Sequence, residues 1–283
     1  MKYDRKIDVV SLSNWSHHNW PKYEQAIKDN FQSGRGITFF TNGIIGKLTK
    51  EKFQHPWIAI LHVTPYENII QQLKHNAVWK DNLSRCKGIF TLSEYTSNFI
   101  RSHLGVLTET LYCPMPSEYK KFNWKAFSYN ENKRLLHIGH WLRNLEFFYN
   151  IKTNIYKKTV IKCLNNPIGD IEVLDFLSRE QYETVLTENI VCVNLLDASA
   201  NNLVVECMAQ HTPLLINRLP AVEEYMGRDY PLFYNNIEEA CEMLKKYSAI
   251  YEAHLYLKGL DKTRFIIEFF IDSIDQSQIY KSL

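Results

Sequence analysis

The sequence predicts an α/β protein: two helix-covered parallel sheets, one in each half of the chain, joined by a linker. Three observations predict it. Short apolar runs alternate with helical patterns along most of the chain. Several of these runs lack polar alternation, as strands buried on both faces do. The alternation fades once, from Ser117 to Lys133, where the composition turns polar and basic, and then restarts. With 283 residues there is enough chain for two cores. The expected division is residues 1–116, a linker at 117–133, and residues 134–283. Two such halves imply a cleft between them, the usual place for a small-molecule site.

In the first half, Ile7 to Leu12 reads as a strand that runs into a loop of aromatic and polar groups, Asn14 to Pro21. Indole faces and side-chain amides suit polyhydroxy ligands, so Asn14, Trp15, His17 and Asn19 are acceptor-side candidates; Trp15 and Trp20 would equally cap the end of a sheet. Lys22 to Phe31 is helical. Gly34-Arg35-Gly36 precedes the strand Ile37 to Thr41, so it lacks the spacing of a dinucleotide fingerprint. Pro56 to Val63 is a buried strand that delivers His62 to its carboxyl end, in a structural or a catalytic role. A polar helix, Asn68 to His75, and the strand Gly88 to Leu92 follow. Ser93 is placed to cap a helix running to His103. Leu107 to Tyr112 closes this half, before Cys113-Pro114-Met115-Pro116.

The second half opens with the strand Arg134 to Ile138, then Gly139-His140-Trp141-Leu142-Arg143-Asn144, a helix to about Asn154, and the strand Val160 to Leu164. Ser178 begins a helix through Tyr182 to Leu186. Ile190 to Leu196 is an apolar strand that stops at the polar loop Asp197 to Asn202. The helix from Leu203 to Gln210 is almost wholly apolar except for Glu206. A strand, a polar loop and a helix N-terminus form the geometry in which α/β proteins hold anions. A carboxylate inside such a helix is costly to bury unless it holds a ligand hydroxyl, or gains from the positive end of the helix. Pro213 opens the strand Leu214 to Asn217, and a helix begins near Glu238. The tail, Arg264 to Ile279, reads as a helix with one apolar side.

Composition excludes several classes. Thirty-three basic against 31 acidic side chains leave +2, too little to argue for nucleic acid, and no compact basic motif appears. Lys120-Lys121 with Lys125, and Lys157-Lys158, are small surface clusters that allow at most peripheral contact with a membrane. Cys86, Cys113, Cys163, Cys192, Cys207 and Cys241 form no Cys-x-x-Cys pair and read as buried thiols of a reducing compartment. No apolar run is long enough for a signal peptide or a membrane span, which predicts a cytoplasmic protein.

Three ordered motifs resemble the "glycosyl transferases group 1" family of GT-B fold. The first is Gly88-Ile89-Phe90-Thr91-Leu92-Ser93-Glu94-Tyr95-Thr96, with Pro114-Met115-Pro116 after it. The second is Gly139 with Arg143-Asn144. The third is Asn202-Leu203-Val204-Val205-Glu206-Cys207-Met208-Ala209, then Thr212-Pro213 and later Glu224. The resemblance implies two Rossmann-like domains facing each other across a cleft, acceptor-side first and nucleotide-sugar-binding second, with the terminal helix crossing back. It implies a glycosyltransferase that moves a sugar from a nucleotide-diphosphate donor to a hydroxyl of a glycan or lipid-linked acceptor. No metal is required, and no cofactor beyond the donor. Arg143 would meet the diphosphate, alongside Gly139 and His140. Glu206 would accept hydrogen bonds from ribose hydroxyls. Ser199, Asn201, Asn202 and Leu203 would lie along the phosphates, and His62 would face the donor sugar as the catalytic histidine.

The sequence also departs from the family. Ala198 stands where the family's Glu-x7-Glu needs an acid, and Asp197 is one residue early. The N-terminal glycine-rich acceptor loop is not recognisable. Two other readings therefore stand beside the transferase: a non-catalytic GT-B module that binds a nucleotide or a partner, and a nucleotide-sugar epimerase.

Overall fold

The computed structural model describes residues 3–12, 20–73, 75–161, 169–175 and 177–283. The chain divides into two compact units. Unit 1 is Met1–Pro114 with Lys262–Leu283, and unit 2 is Met115–Asp261.

Unit 1 holds β1 (Ile7–Ser11), β2 (Ile37–Asn42), β3 (Trp57–Leu61), β4 (Cys86–Thr91) and β5 (Thr108–Thr110), all parallel and side by side in chain order. Every residue of β3 is buried, because both faces of this central strand are covered. On one face Phe40, Trp57, Ala59, Leu61 and Ile89 pack under four helices: Ile44–Leu48, Ile69–Leu73, Ala77–Leu83 and Glu94–Leu104. Alternation sends Phe39, Ile58, Ile60 and Phe90 to the other face, where the Phe39 and Phe90 rings lie 5.9 Å apart.

The last segment of the chain helps to cover that second face. A Cβ added to Gly88 would lie 2.5 Å from Ile279 Cγ1, so glycine is what lets the tail rest on β4. Tyr280 packs against Phe31 with ring centroids 5.0 Å apart, and Phe270 lies 6.4 Å from Tyr23. The Glu109 carboxylate of β5 accepts the amides of Gln278 (3.1 Å) and Ile279 (2.8 Å) at the start of the last helix. The domain boundary read from the sequence, 134–283, thus shifts, since residues 262–283 belong with the first sheet. The tail is also not one helix. It comprises a 3₁₀ turn at Thr263–Phe265 and helices at Ile267–Gln276 and Gln278–Lys281. Gly34-Arg35-Gly36 has a structural use: the amides of Gly34 (2.5 Å) and Gly36 (2.8 Å) bind the Asp8 carboxylate of β1.

Unit 2 holds β6 (Arg134–Ile138), β7 (Lys157–Ile161), β8 (Glu172–Leu174), β9 (Ile190–Val193), β10 (Leu214–Asn217) and β11 (Phe233–Tyr234). They are parallel, in the order β11-β10-β9-β6-β7-β8. The chain winds one way from β6 to β8, returns to place β9 beside β6, then winds the other way. That reversal opens a crevice at the carboxyl ends of β6 and β9. At the edge, Glu172 of β8 ties three strands together through Arg134 (2.7 Å), Lys157 (2.9 Å) and Thr159 (2.9 Å); chiefly the Arg134 hydrogen bond lowers its carboxyl to about 2.

The stretch read as a linker, 117–133, is part of unit 2. Asn123 caps a helix at Trp124–Tyr129, and Phe122 and Phe127 are buried. Trp124 lies 4.9 Å from Tyr247 and 4.5 Å from Tyr251, on a helix, Tyr247–Gly259, that sequence periodicity did not reveal. The packing partners are more than a hundred residues away, so no local pattern announces them. Among the described residues, no helix is long and apolar enough to cross a membrane.

Candidate functional site

The crevice of unit 2 is built from two loops that hold each other. After β6 the chain turns at Gly139 (φ +78°), where a Cβ would meet Arg143 Cζ at 3.2 Å. Glycine therefore lets the guanidinium lie flat against the backbone. Asn144 N donates to Asn194 O (2.8 Å) and Leu196 N to Leu142 O (3.0 Å), which pins this loop to the one that follows β9. From the other side, Asn217 at the end of β10 accepts from Leu195 N (2.7 Å) and donates to Leu195 O (2.9 Å). This double clamp ends β9 at Val193, earlier than the apolar run to Leu196 suggests.

Beyond the clamp, Asp197 and Ser199 are buried, and Asp197 Oδ1 accepts the Ala198 amide at 2.8 Å. The helix Asn202–Gln210 is capped by Asn201, whose Oδ1 accepts from Leu203 N (3.1 Å) and Val204 N (3.4 Å). The Leu203 amide, expected along the phosphates, is thus directed at its own cap. Glu206 follows on the same helix, 3% exposed, and Tyr182 Oη donates to its Oε2 at 2.7 Å.

Arg143, Tyr182 and Glu206 form one electrostatic cluster. Burial lowers the pKa of the guanidinium, and Tyr182 and Glu206 oppose that effect. Burial, then the Glu206 carboxylate, pushes the Tyr182 phenol well above its usual range, so it stays a donor. Arg143 Nη1 donates to Trp141 O at 2.8 Å, whereas its buried Nε has no hydrogen-bond partner. An always-charged planar group with an unmet buried donor suits an anionic oxygen. His137, fully buried on β6, is pushed down to about 4 by burial and by the Arg143 charge, so it is neutral at pH 7. His140 is exposed, and its carbonyl accepts the Arg143 amide at 3.3 Å.

The structure brings Gly139, Arg143 and Glu206 into one cluster, while Ser199, Asn201, Asn202 and Leu203 lie on the loop and first helical turn that follow β9. Sequence reading missed Tyr182 as a partner of Glu206, because a contact across 24 residues leaves no local trace.

His62 belongs to unit 1. It follows β3, and its Nε2 donates to Thr41 O at 2.9 Å. The Trp20 ring stands edge-on to it, with centroids 4.6 Å apart. Burial lowers this imidazole to about 4, against the pull of the Thr41 carbonyl, so it too is neutral at pH 7. Asn14, Trp15, His17 and Asn19 lie outside the described residues.

No protein-family model matches this chain, and no curated protein sequence does. Among solved structures it is similar to Anabaena Alr3699/HepE in complex with UDP (TM-score 0.70, 9% identity, 98% of this chain and 100% of that one). It is also similar to sucrose-phosphate synthase from Thermosynechococcus elongatus (TM-score 0.62, 9% identity, 91% and 75%). A third is a UDP-forming trehalose-phosphate synthase from Burkholderia xenovorans (TM-score 0.59, 11% identity, 92% and 77%). At these identities the likeness shows the fold. It is the two-sheet GT-B fold of glycosyltransferases, as the sequence motifs implied.

Proposed function

We propose that this protein is a glycosyltransferase that takes a sugar from a nucleotide-diphosphate donor and passes it to a hydroxyl acceptor. One observation carries the reading: Arg143 and Glu206 reach the switch-point crevice of unit 2 from its two sides, a guanidinium and a buried carboxylate in one cluster. In this reading Arg143 binds the diphosphate through its Nε and neutralises the charge that builds up as the sugar leaves. Glu206, oriented by Tyr182, accepts hydrogen bonds from the ribose. Gly139 and His140 on one loop, and Ser199, Asn201, Asn202 and Leu203 on the other, shape the walls. His62 is assigned to the catalytic step. Catalysis then comes mainly from positioning and charge neutralisation, with no metal ion. Anabaena HepE has been captured with UDP and with UDP-glucose, which makes UDP the first probe.

The test is calorimetric titration with UDP, GDP and ADP, followed by mass spectrometry of products from the matching nucleotide sugars. Binding of at least one nucleotide, lost in Arg143→Ala and Glu206→Ala, is expected. No binding by the wild-type chain would overturn the reading.

A non-catalytic nucleotide-binding module is the second reading, favoured by Ala198, where the acid is missing, and by Asp197, whose carboxylate is turned onto the Ala198 amide. It predicts tight nucleotide binding with neither transfer nor donor hydrolysis.

A further inference from the structure

Unit 2 presents an apolar face that neither its core nor the donor crevice uses. The helix Tyr247–Gly259 packs inward through Ile250, Ala253, His254 and Leu257. Its outer side carries Tyr247, Tyr251 and Leu255 at successive four-residue steps, so they form one stripe along the helix. These side chains remain 43%, 40% and 44% exposed, although the Trp124 ring backs both tyrosines. Tyr247 is held further by Phe127, whose ring stacks on it at 5.9 Å. A continuous apolar stripe facing water is uncommon on a monomer. Aromatic side chains already fixed by packing also lose little freedom when a partner covers them.

Two charges frame the stripe. Helical spacing sets Glu252 on one flank of Leu255 and Lys258 on the other, and both are exposed. Six residues apart, they lie too far along the helix to pair with each other. Among the described residues neither forms an ion pair, whereas Glu242 and Lys245 on the preceding helix satisfy one another.

This arrangement is self-complementary. When two copies of the helix run parallel about a two-fold axis, opposite flanks face each other. Glu252 of one copy then meets Lys258 of the second, and the pair occurs twice. An antiparallel pair would set like flanks together, glutamate beside glutamate and lysine beside lysine. An anionic lipid surface suits the face less, because Glu252 would meet the headgroups.

We infer that the helix Tyr247–Gly259 is the two-fold interface of a homodimer, with Tyr247, Tyr251 and Leu255 along its seam and Glu252 and Lys258 setting its register. The face belongs to unit 2 alone, and its use needs no nucleotide, so the inference stands apart from the donor reading.

Sedimentation velocity over a concentration series of the full chain tests it. The wild type is expected to pass from monomer to dimer as concentration rises. Tyr251→Ser, Glu252→Lys and Lys258→Glu should each weaken the dimer about tenfold or more. All three positions are exposed, so each variant should keep the thermal midpoint of the wild-type monomer. The double exchange, Glu252→Lys with Lys258→Glu, re-forms the crossed pairs and should recover an affinity within about threefold of wild type. A wild type that stays monomeric throughout, a dimer indifferent to all three substitutions, or a double exchange as weak as the single ones would overturn the inference. A monomeric wild type that sediments with phosphatidylglycerol vesicles would overturn it too, and would assign the face to a lipid surface.

Discussion

The two units solve the same packing problem with different strand orders, and the difference decides where chemistry can sit. In unit 1 the strands lie in chain order, β1 to β5, with no reversal. In unit 2 the order reverses between β6 and β9, and the two loops that part there carry Arg143 and the Asp197–Glu206 segment. A reversal makes a crevice, since successive connections leave the sheet on opposite sides. Among the described residues unit 1 shows no such reversal, and polar residues instead gather around Glu24 at neighbouring strand ends. Unit 1 also draws on a distant segment, the C-terminal tail, to cover one face, whereas unit 2 is continuous in sequence.

The sharpest way to break the comparison is to remove the tail. Deleting residues 262–283 uncovers the sheet face beside Gly88 and Phe31 and removes six buried apolar side chains, of which Phe270, Ile274, Ile279 and Tyr280 are four. At roughly 1.5–3 kcal/mol each, the loss of these four alone, about 6–12 kcal/mol, matches the whole stability of an ordinary domain. Unit 1 is expected to unfold while unit 2 stays protected; hydrogen exchange followed by peptide mass spectrometry reads the two separately. Equal protection in both units would refute the tail's assigned role.

Arg143→Ala probes the crevice. Losing charge-assisted hydrogen bonds should weaken nucleoside diphosphate binding by about ten- to a hundredfold, with little change in the midpoint of thermal unfolding. An affinity within twofold of wild type would remove Arg143 from the donor site. Tyr182→Phe should be milder: Glu206 loses one donor, worth about 1–2 kcal/mol in stability or affinity, seen as a shift in urea midpoint or in Kd.

The pH dependence offers a symmetrical test, because each unit holds a histidine whose pKa burial lowers. His62 and His137 are both lowered from 6.5 to about 4, so between these values the unfolded chain binds protons that the folded chain refuses. Stability from these sites is complete above about pH 6.5 and falls as the pH drops toward 4. Histidine-selective NMR should find neither imidazole titrating between pH 5 and 8, and a ring that titrates near 6.5 would show that its unit does not bury it. The smallest effect is expected for Asn201→Ala, a lost helix cap worth about 1 kcal/mol in thermal unfolding.

Much of this was legible in the chain itself. The apolar runs at Trp57–Leu61 and Ile190–Val193 have no solvent face, so they had to be central strands of a covered sheet. Ser93 and Ser178 mark helix starts, and each accepts the amide three residues on. Glu206 stood out as a lone acid in an apolar helix, whereas Gly139 and Arg143 were marked by the resemblance to the GT-B motifs. Strand order, by contrast, is set by which edges meet, and no local periodicity encodes that.

What the sequence alone determined is the alternation of strands and helices and the residues that carry charge into strand ends, both consequences of short-range pattern and side-chain chemistry. The tertiary structure decided the rest. It joined the tail to the first sheet, folded the supposed linker into unit 2, set Tyr182 against Glu206, and buried Glu24 against Thr41 and Asn42. Each of these rests on contacts between residues separated by 17 or more positions, where the gain is made only once the intervening chain has folded.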